Sequence, residues 1–226
     1  MEYNVVTVIP ARVGSRRLPM KNTVECLLNG RPMIEYTLEA VAGSVAGSGP
    51  VVVSTEHVPT LDYVQARGLF ARRRPAKLSG PEVSPADVII DAVEWLADFG
   101  VVCDTVLLTQ ITSPLRTSVD IDEALSLYDL TQSARLISVS EAHQQPFDML
   151  DKHGRWVGVP REAYLFVNGA IYISAYNELK RCKSFWEPDG RSAMYLMPKW
   201  RSIDVDDPED LEMAEKIMKG EAAGNG

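Results

Sequence analysis

The chain has 226 residues, of which 46% are hydrophobic and 24% charged, with a formal net charge of −8. These proportions exclude disordered and fibrous classes, and the acidic balance argues against a nucleic-acid partner. No apolar run approaches the roughly 20 residues of a bilayer-spanning helix. Met1-Glu2-Tyr3-Asn4 also lacks the basic start and apolar stretch of a secretory signal, so a cytoplasmic protein without a membrane partner is expected.

In chain order, β-branched runs at 5–9, 51–55, 105–108, 136–139 and 170–173 alternate with helical patterns over 32–45, 58–68, 84–99 and 119–130. Continuous apolar runs suit strands covered on both faces, hence mainly parallel. The alternation predicts an α/β fold, a doubly wound, mainly parallel sheet with helices on both faces. One domain over 1–219 is expected. Residues 144–166, with Pro146, Gly154, Gly158 and Pro160, read as a small lobe or dimer arm, and 220–226 as a disordered tail. Ligands of such sheets bind beyond the carboxyl ends of the strands, so chemistry is sought in the loops that follow them.

The first such loop is Pro10-Ala11-Arg12-Val13-Gly14-Ser15-Arg16-Arg17-Leu18-Pro19-Met20-Lys21-Asn22. It holds four cations and no acid within an acidic chain. Gly14 permits a tight backbone path, Ser15 offers a hydroxyl, and Arg12 and Lys21 neutralise phosphate charge. The loop has neither the Gly-Lys-Ser/Thr of a Walker motif nor a Gly-x-Gly-x-x-Gly pattern. A small anionic substrate is therefore expected.

Near the other end, Ser202-Ile203-Asp204-Val205-Asp206 alternates like a strand and would place both carboxylates on one face. Two such charges side by side call for a cation or a basic group between them, and Mg2+ held by Asp204 and Asp206 with substrate phosphates meets that need. Asp207 and Asp210 flank Pro208 as N-cap and N3 of a last helix. Cys26, Cys103 and Cys182, and His57, His143 and His153, show no metal-ligand spacing.

The loop residues and the following Gly30-Arg31-Pro32-Met33-Ile34 resemble the signature of the acylneuraminate cytidylyltransferase family: Ile-Pro-Ala-Arg-x-Gly-Ser, Pro-x-Lys-Asn, then Gly-x-Pro-Met/Leu-Ile. Lys21-Asn22 is closer to the sialic-acid branch than to the Kdo enzymes, which usually carry Lys-Pro. Arg74-Pro75, Gln110 with Thr112-Ser113-Pro114-Leu115-Arg116, Asn168-Gly169-Ala170-Ile171-Tyr172 and Asp204-x-Asp206 extend the likeness. The resemblance implies a nucleotide-diphospho-sugar-transferase-like fold and transfer of CMP from CTP to a small anionic acceptor by a homodimer. It implies a CTP site of Ala11, Arg12, Gly14, Ser15, Lys21, Asn22, Arg74 and Ser84, and places Arg12, Lys21 and Asp206 as catalytic residues. Gln110, Asn168 and Gly169 become acceptor contacts, and Arg155 or Arg161 stands in for the family's carboxylate-reading arginine, whose Arg-Gln stretch is missing here. Arg116 contacts ligand or pairs with Asp120.

That missing stretch admits a phosphonate as an alternative acceptor. An Asp-x-Asp glycosyltransferase and a non-catalytic nucleotide sensor are the readings from other classes.

Overall fold

A computed structural model describes residues 4–80, 82–142, 149, 153–155, 164–185 and 192–220. The strands are β1 (Val5–Pro10), β2 (Leu27–Leu28), β3 (Arg31–Pro32), β4 (Val51–Thr55), β5 (Phe70–Arg73), β6 (Thr105–Thr109), β7 (Arg135–Glu141), β8 (Leu165–Ala175) and β9 (Ser192–Leu196). The α-helices are α1 (Met33–Ala42), α2 (Val58–Gln65), α3 (Pro85–Ala97), α4 (Ser118–Thr131), α5 (Tyr176–Cys182) and α6 (Pro208–Met218).

Seven strands form one sheet in the order β5-β4-β1-β6-β8-β7-β9, and β2 and β3 make a separate short ribbon. β8 runs antiparallel to both of its neighbours, whereas the other described ladders of the main sheet are parallel. The expected mainly parallel doubly wound sheet is therefore present. Period-two alternation explains why both faces are apolar. Val6, Val8, Val52, Val106 and Leu108 meet α3 and α5 through Ile89, Val93, Leu96 and Leu179. Val5, Ile9, Val51, Val53 and Leu107 meet α1 and α4 through Ile34, Leu38, Ile121 and Leu125.

From β1 the chain places β4 and β5 to one side and then returns to place β6 on the other. The strand order thus reverses between β1 and β6, which opens a crevice at their carboxyl ends. The loop after Pro10 and the turn after Thr109 meet there.

One expected element differs. Residues 202–206 join no strand ladder. Their backbone groups bind elsewhere: Val205 N–H donates to the Thr112 carbonyl (2.7 Å), Lys21 Nζ donates to the Val205 carbonyl (2.8 Å), and Asp206 N–H donates to the Asp210 carboxylate (2.9 Å). The last helix begins as expected. Asp207 caps it by accepting from Glu209 and Asp210 N–H, and Asp210 returns the bond to the cap. Arg161 and most of 144–166 lie outside the described residues, as do 221–226.

Candidate active site

A cavity of about 360 Å³ opens at the crevice, within the size range of small-molecule sites. Its lining includes Arg12, Lys21, Asn22, Arg74, Gln110, Thr112, Asp204 and Asp206. Residues that are nearly two hundred positions apart in the chain thus share one enclosure.

The basic loop is pinned at its root. Ala11 N–H donates to the Ser54 carbonyl (2.8 Å) and Val13 N–H to Glu56 Oε1 (2.7 Å). Glu56, at the tip of β4, also lies 3.9 Å from Arg74 Nη1. Arg74 is buried and donates to the Ser54 carbonyl at 2.6 Å. Burial lowers its pKa, and Glu56 opposes that shift. Sequence reasoning missed Glu56; the one signal for it was an acid placed directly after a buried strand.

At the far side of the loop, Lys21 is buried and binds Asp206 Oδ1 at 2.5 Å. The exposed Arg17 pairs with the other oxygen of the same carboxylate. Burial works against the charged form of Asp206, but Lys21 and then Arg17 outweigh it, so its pKa lies below the usual carboxylate range. Asp204 is shifted the opposite way. Burial raises its pKa, the nearby Asp206 adds to the rise, and a hydrogen bond from Thr112 and the Lys21 charge only partly offset it. Its Oδ1 is buried without a hydrogen-bond partner. The two carboxylates therefore sit in unequal fields, one neutralised and one held in reserve. Among the described residues no three His, Cys, Asp or Glu side chains gather into a metal cluster.

The remaining sequence-selected residues divide. Ser15 is part-buried, and Gly14 is exposed. An added Cβ at Gly14 would meet no protein atom within 4 Å, so the protein's own packing does not demand glycine there. Ser84 caps α3, its hydroxyl accepting from Ala86 N–H, and it is not part of the cavity lining.

Gly169 adopts φ +77°, and a Cβ there would stand 3.1 Å from Gln110 Oε1 and 3.9 Å from Asp204 Oδ2. Glycine thus fits both the left-handed backbone and the close approach of Gln110. Asn168 is 1% exposed and, like Gly169, is not part of the lining; its amide hydrogen-bonds to protein groups. Arg116 does not pair with Asp120, whose carboxylate is taken by Arg201, Thr117 and Tyr195. Fully buried, Arg116 instead donates through Nη1 to the carbonyls of Gln110 and Ala170, both at 3.0 Å. Burial lowers its pKa to about 10.

A family model described as Cytidylyltransferase matches residues 6–145. The chain is 33% identical over 219 residues to the N-acylneuraminate cytidylyltransferase of Streptococcus agalactiae serotype V, a match covering 91% of this chain and 51% of that protein. It is 31% identical over 228 residues to the CMP-N,N'-diacetyllegionaminic acid synthase of Legionella pneumophila, covering 95% and 96% respectively. The chain thus spans about half the length of the streptococcal relative and nearly all of the Legionella one. A solved CMP:2-keto-3-deoxy-manno-octonic acid synthetase complexed with CTP superposes with a TM-score of 0.67 over 96% of this chain and 99% of that one, at 22% identity. That likeness matches the sheet described above. From the family model and the full-length similarity to the Legionella protein, the chain belongs to the cytidylyltransferase family.

Proposed function

We propose that this protein transfers CMP from CTP to the hydroxyl of a small sugar acid and releases pyrophosphate. The observation that carries this reading is the shared cavity, which Arg12, Lys21 and Arg74 line together with Asp204 and Asp206. Cations in the lining match a triphosphate, and the carboxylate pair matches a divalent ion bound between protein and phosphate. The acceptor class follows the two relatives, which are named for an N-acylneuraminate and an N,N'-diacetyllegionaminate. This favours a sugar acid over the phosphonate, and family membership displaces the glycosyltransferase reading.

In this scheme an acceptor oxygen attacks the α-phosphorus in line. The new O–P bond forms as the α–β anhydride bond breaks, pyrophosphate leaves, and the hydroxyl proton passes to solvent. Arg12, Ser15 and Lys21 hold the phosphates, with Asn22 and Arg74 completing the nucleotide side. Gln110 orients the acceptor at the tip of β6. Catalysis is positioning and charge neutralisation rather than covalent chemistry.

A magnesium ion suits the residues present. Asp204 offers a buried oxygen with no partner, and Asp206 shares the same cavity. A hard cation completed by phosphate oxygens needs no more protein ligands than these two. When bound, it would supply charge neutralisation at the reacting phosphoryl group.

We also read the protein as a cytoplasmic homodimer. Among the described residues no helix is long and apolar enough to cross a membrane, and Phe166, Leu196 and Trp200 expose apolar surface that a second subunit would cover.

The test is a pyrophosphate-release assay with CTP against N-acylneuraminic, legionaminic, pseudaminic and Kdo-type acids and small phosphonates, with ATP, GTP and UTP as controls. Release from CTP with at least one sugar acid is expected. Binding of CTP without turnover across the whole panel would instead support the nucleotide sensor.

A further inference from the structure

The β7–β8 ladder contains an irregularity that bears on the carboxylates. Ile137 pairs with Tyr172 and Val139 with Val167, so on β8 the residues 168–171 stand opposite the single residue Ser138. The excursion is filled by side-chain hydrogen bonds rather than by backbone pairing. Ile171 N–H donates to Ser138 Oγ (2.8 Å), whose hydroxyl donates to Asn168 Oδ1 (2.6 Å). Ala170 N–H donates to the same Oδ1 (3.2 Å), which fixes the amide's orientation because only its oxygen can accept. The amide nitrogen then points to Ser202 Oγ (3.0 Å) and the Met197 sulfur (3.3 Å), and the Ser202 hydroxyl donates on to the Pro198 carbonyl (3.0 Å). Ser138, Asn168 and Ser202 are all buried.

This relay reaches the segment that carries the carboxylates, two residues before Asp204. Residues 202–206 lack a strand partner, so side-chain anchors add to the Val205–Thr112 backbone bond in the work that a ladder would otherwise do. We propose that Asn168 is a positioning residue that acts through Ser202 to fix the backbone at Asp204, and so sets the affinity of the carboxylate pair for its divalent ion. It rests on the cytidylyltransferase reading for its catalytic consequence, but not for its metal-binding one. Outer-shell partners of this kind commonly cost ~10–100-fold in metal affinity or activity when removed.

The test uses Ser202→Ala, which leaves Asn168 in place, Asn168→Ala, and the double variant. Melting temperatures check that each is folded. Two readouts are taken: Mn2+ affinity in the presence of CTP, by electron paramagnetic resonance, and steady-state kinetics with magnesium varied. Ser202→Ala should weaken Mn2+ binding and raise the magnesium midpoint about 10-fold, with kcat falling and the KM values for CTP and acceptor moving less than about 3-fold. The double variant should be no worse than the worse single one, since both break the same link.

A folded Ser202→Ala protein with wild-type Mn2+ affinity and magnesium midpoint overturns the proposal. A rise confined to acceptor KM in Asn168→Ala also overturns it, because that marks a direct acceptor contact. If the wild-type protein turns over no acceptor, the functional reading fails, and the Mn2+ affinities alone decide the anchor.

Discussion

The two walls of the cavity are built by different means. On the cationic side, one short loop after β1 carries Arg12, Lys21 and Asn22, and its root is tied to the end of β4 through the Ser54 carbonyl and the Glu56 carboxylate. The rest of the site, with Gln110, Asp204 and Asp206 in the lining and Gly169 beside Gln110, comes from three separate stretches of chain. They are joined by buried side chains, among them Asn168 and Arg116. A contiguous loop concentrates its charge where it can be read and altered locally. A wall assembled from distant pieces depends on its braces, so a change there should move geometry rather than charge.

The largest effect is expected where the two walls meet, at Asp206. Asp206→Asn removes the charge that Lys21 and Arg17 neutralise and half of the proposed ion site. It should lower the rate of pyrophosphate release about 10³-fold in a folded protein. Wild-type rates in metal-stripped buffer resupplied with magnesium would remove Asp206 from the chemistry. Next in size, Lys21→Met should reduce kcat/KM for CTP about 10²-fold, the scale of losing one preorganised charge at the reacting group.

The opposite wall should respond differently. Gly169→Ala forces a β-carbon against Gln110 at a left-handed backbone position. It should raise acceptor KM about 10-fold, equivalent to a misfit of about 1.4 kcal/mol, while CTP KM stays constant. Equal increases in both KM values would show that the walls are not separable. The smallest effect is expected at Asp207, which the structure assigns to capping α6. Asp207→Ala should cost about 1 kcal/mol of stability, a fall of roughly 2–4 °C in melting temperature for a chain of this size, without changing kcat. An activity loss as large as that of Asp206→Asn would mean the cap assignment omits a catalytic role.

Legibility in the sequence follows the same division. The parallel sheet could be read because β1, β4 and β6 are apolar on both faces, and the loop could be read because Gly14 and four cations lie together in an acidic chain. The last helix announced its own start through Asp207, Pro208 and Asp210. Local spacing could not reveal that Arg116 would turn away from Asp120 toward two backbone carbonyls. That choice depends on Arg201, 81 residues beyond Asp120, already holding the acid. Nor could alternation alone distinguish a strand at 202–206 from an unladdered segment, because both can direct Asp204 and Asp206 the same way. Glu56 and Ser202 are hard to read for a related reason: each acts on a residue distant in sequence, and local spacing does not name that partner.

In the proposed reaction the loop and the carboxylates act together on the α-phosphorus of CTP. Incubation with CTP labelled at that phosphorus, an N-acylneuraminic or legionaminic acid and magnesium, followed by separation of products, tests it directly. The label should appear in the acceptor conjugate, and the released pyrophosphate should carry none. Label retained in free CMP, with no conjugate formed under any acceptor of the panel, would contradict it.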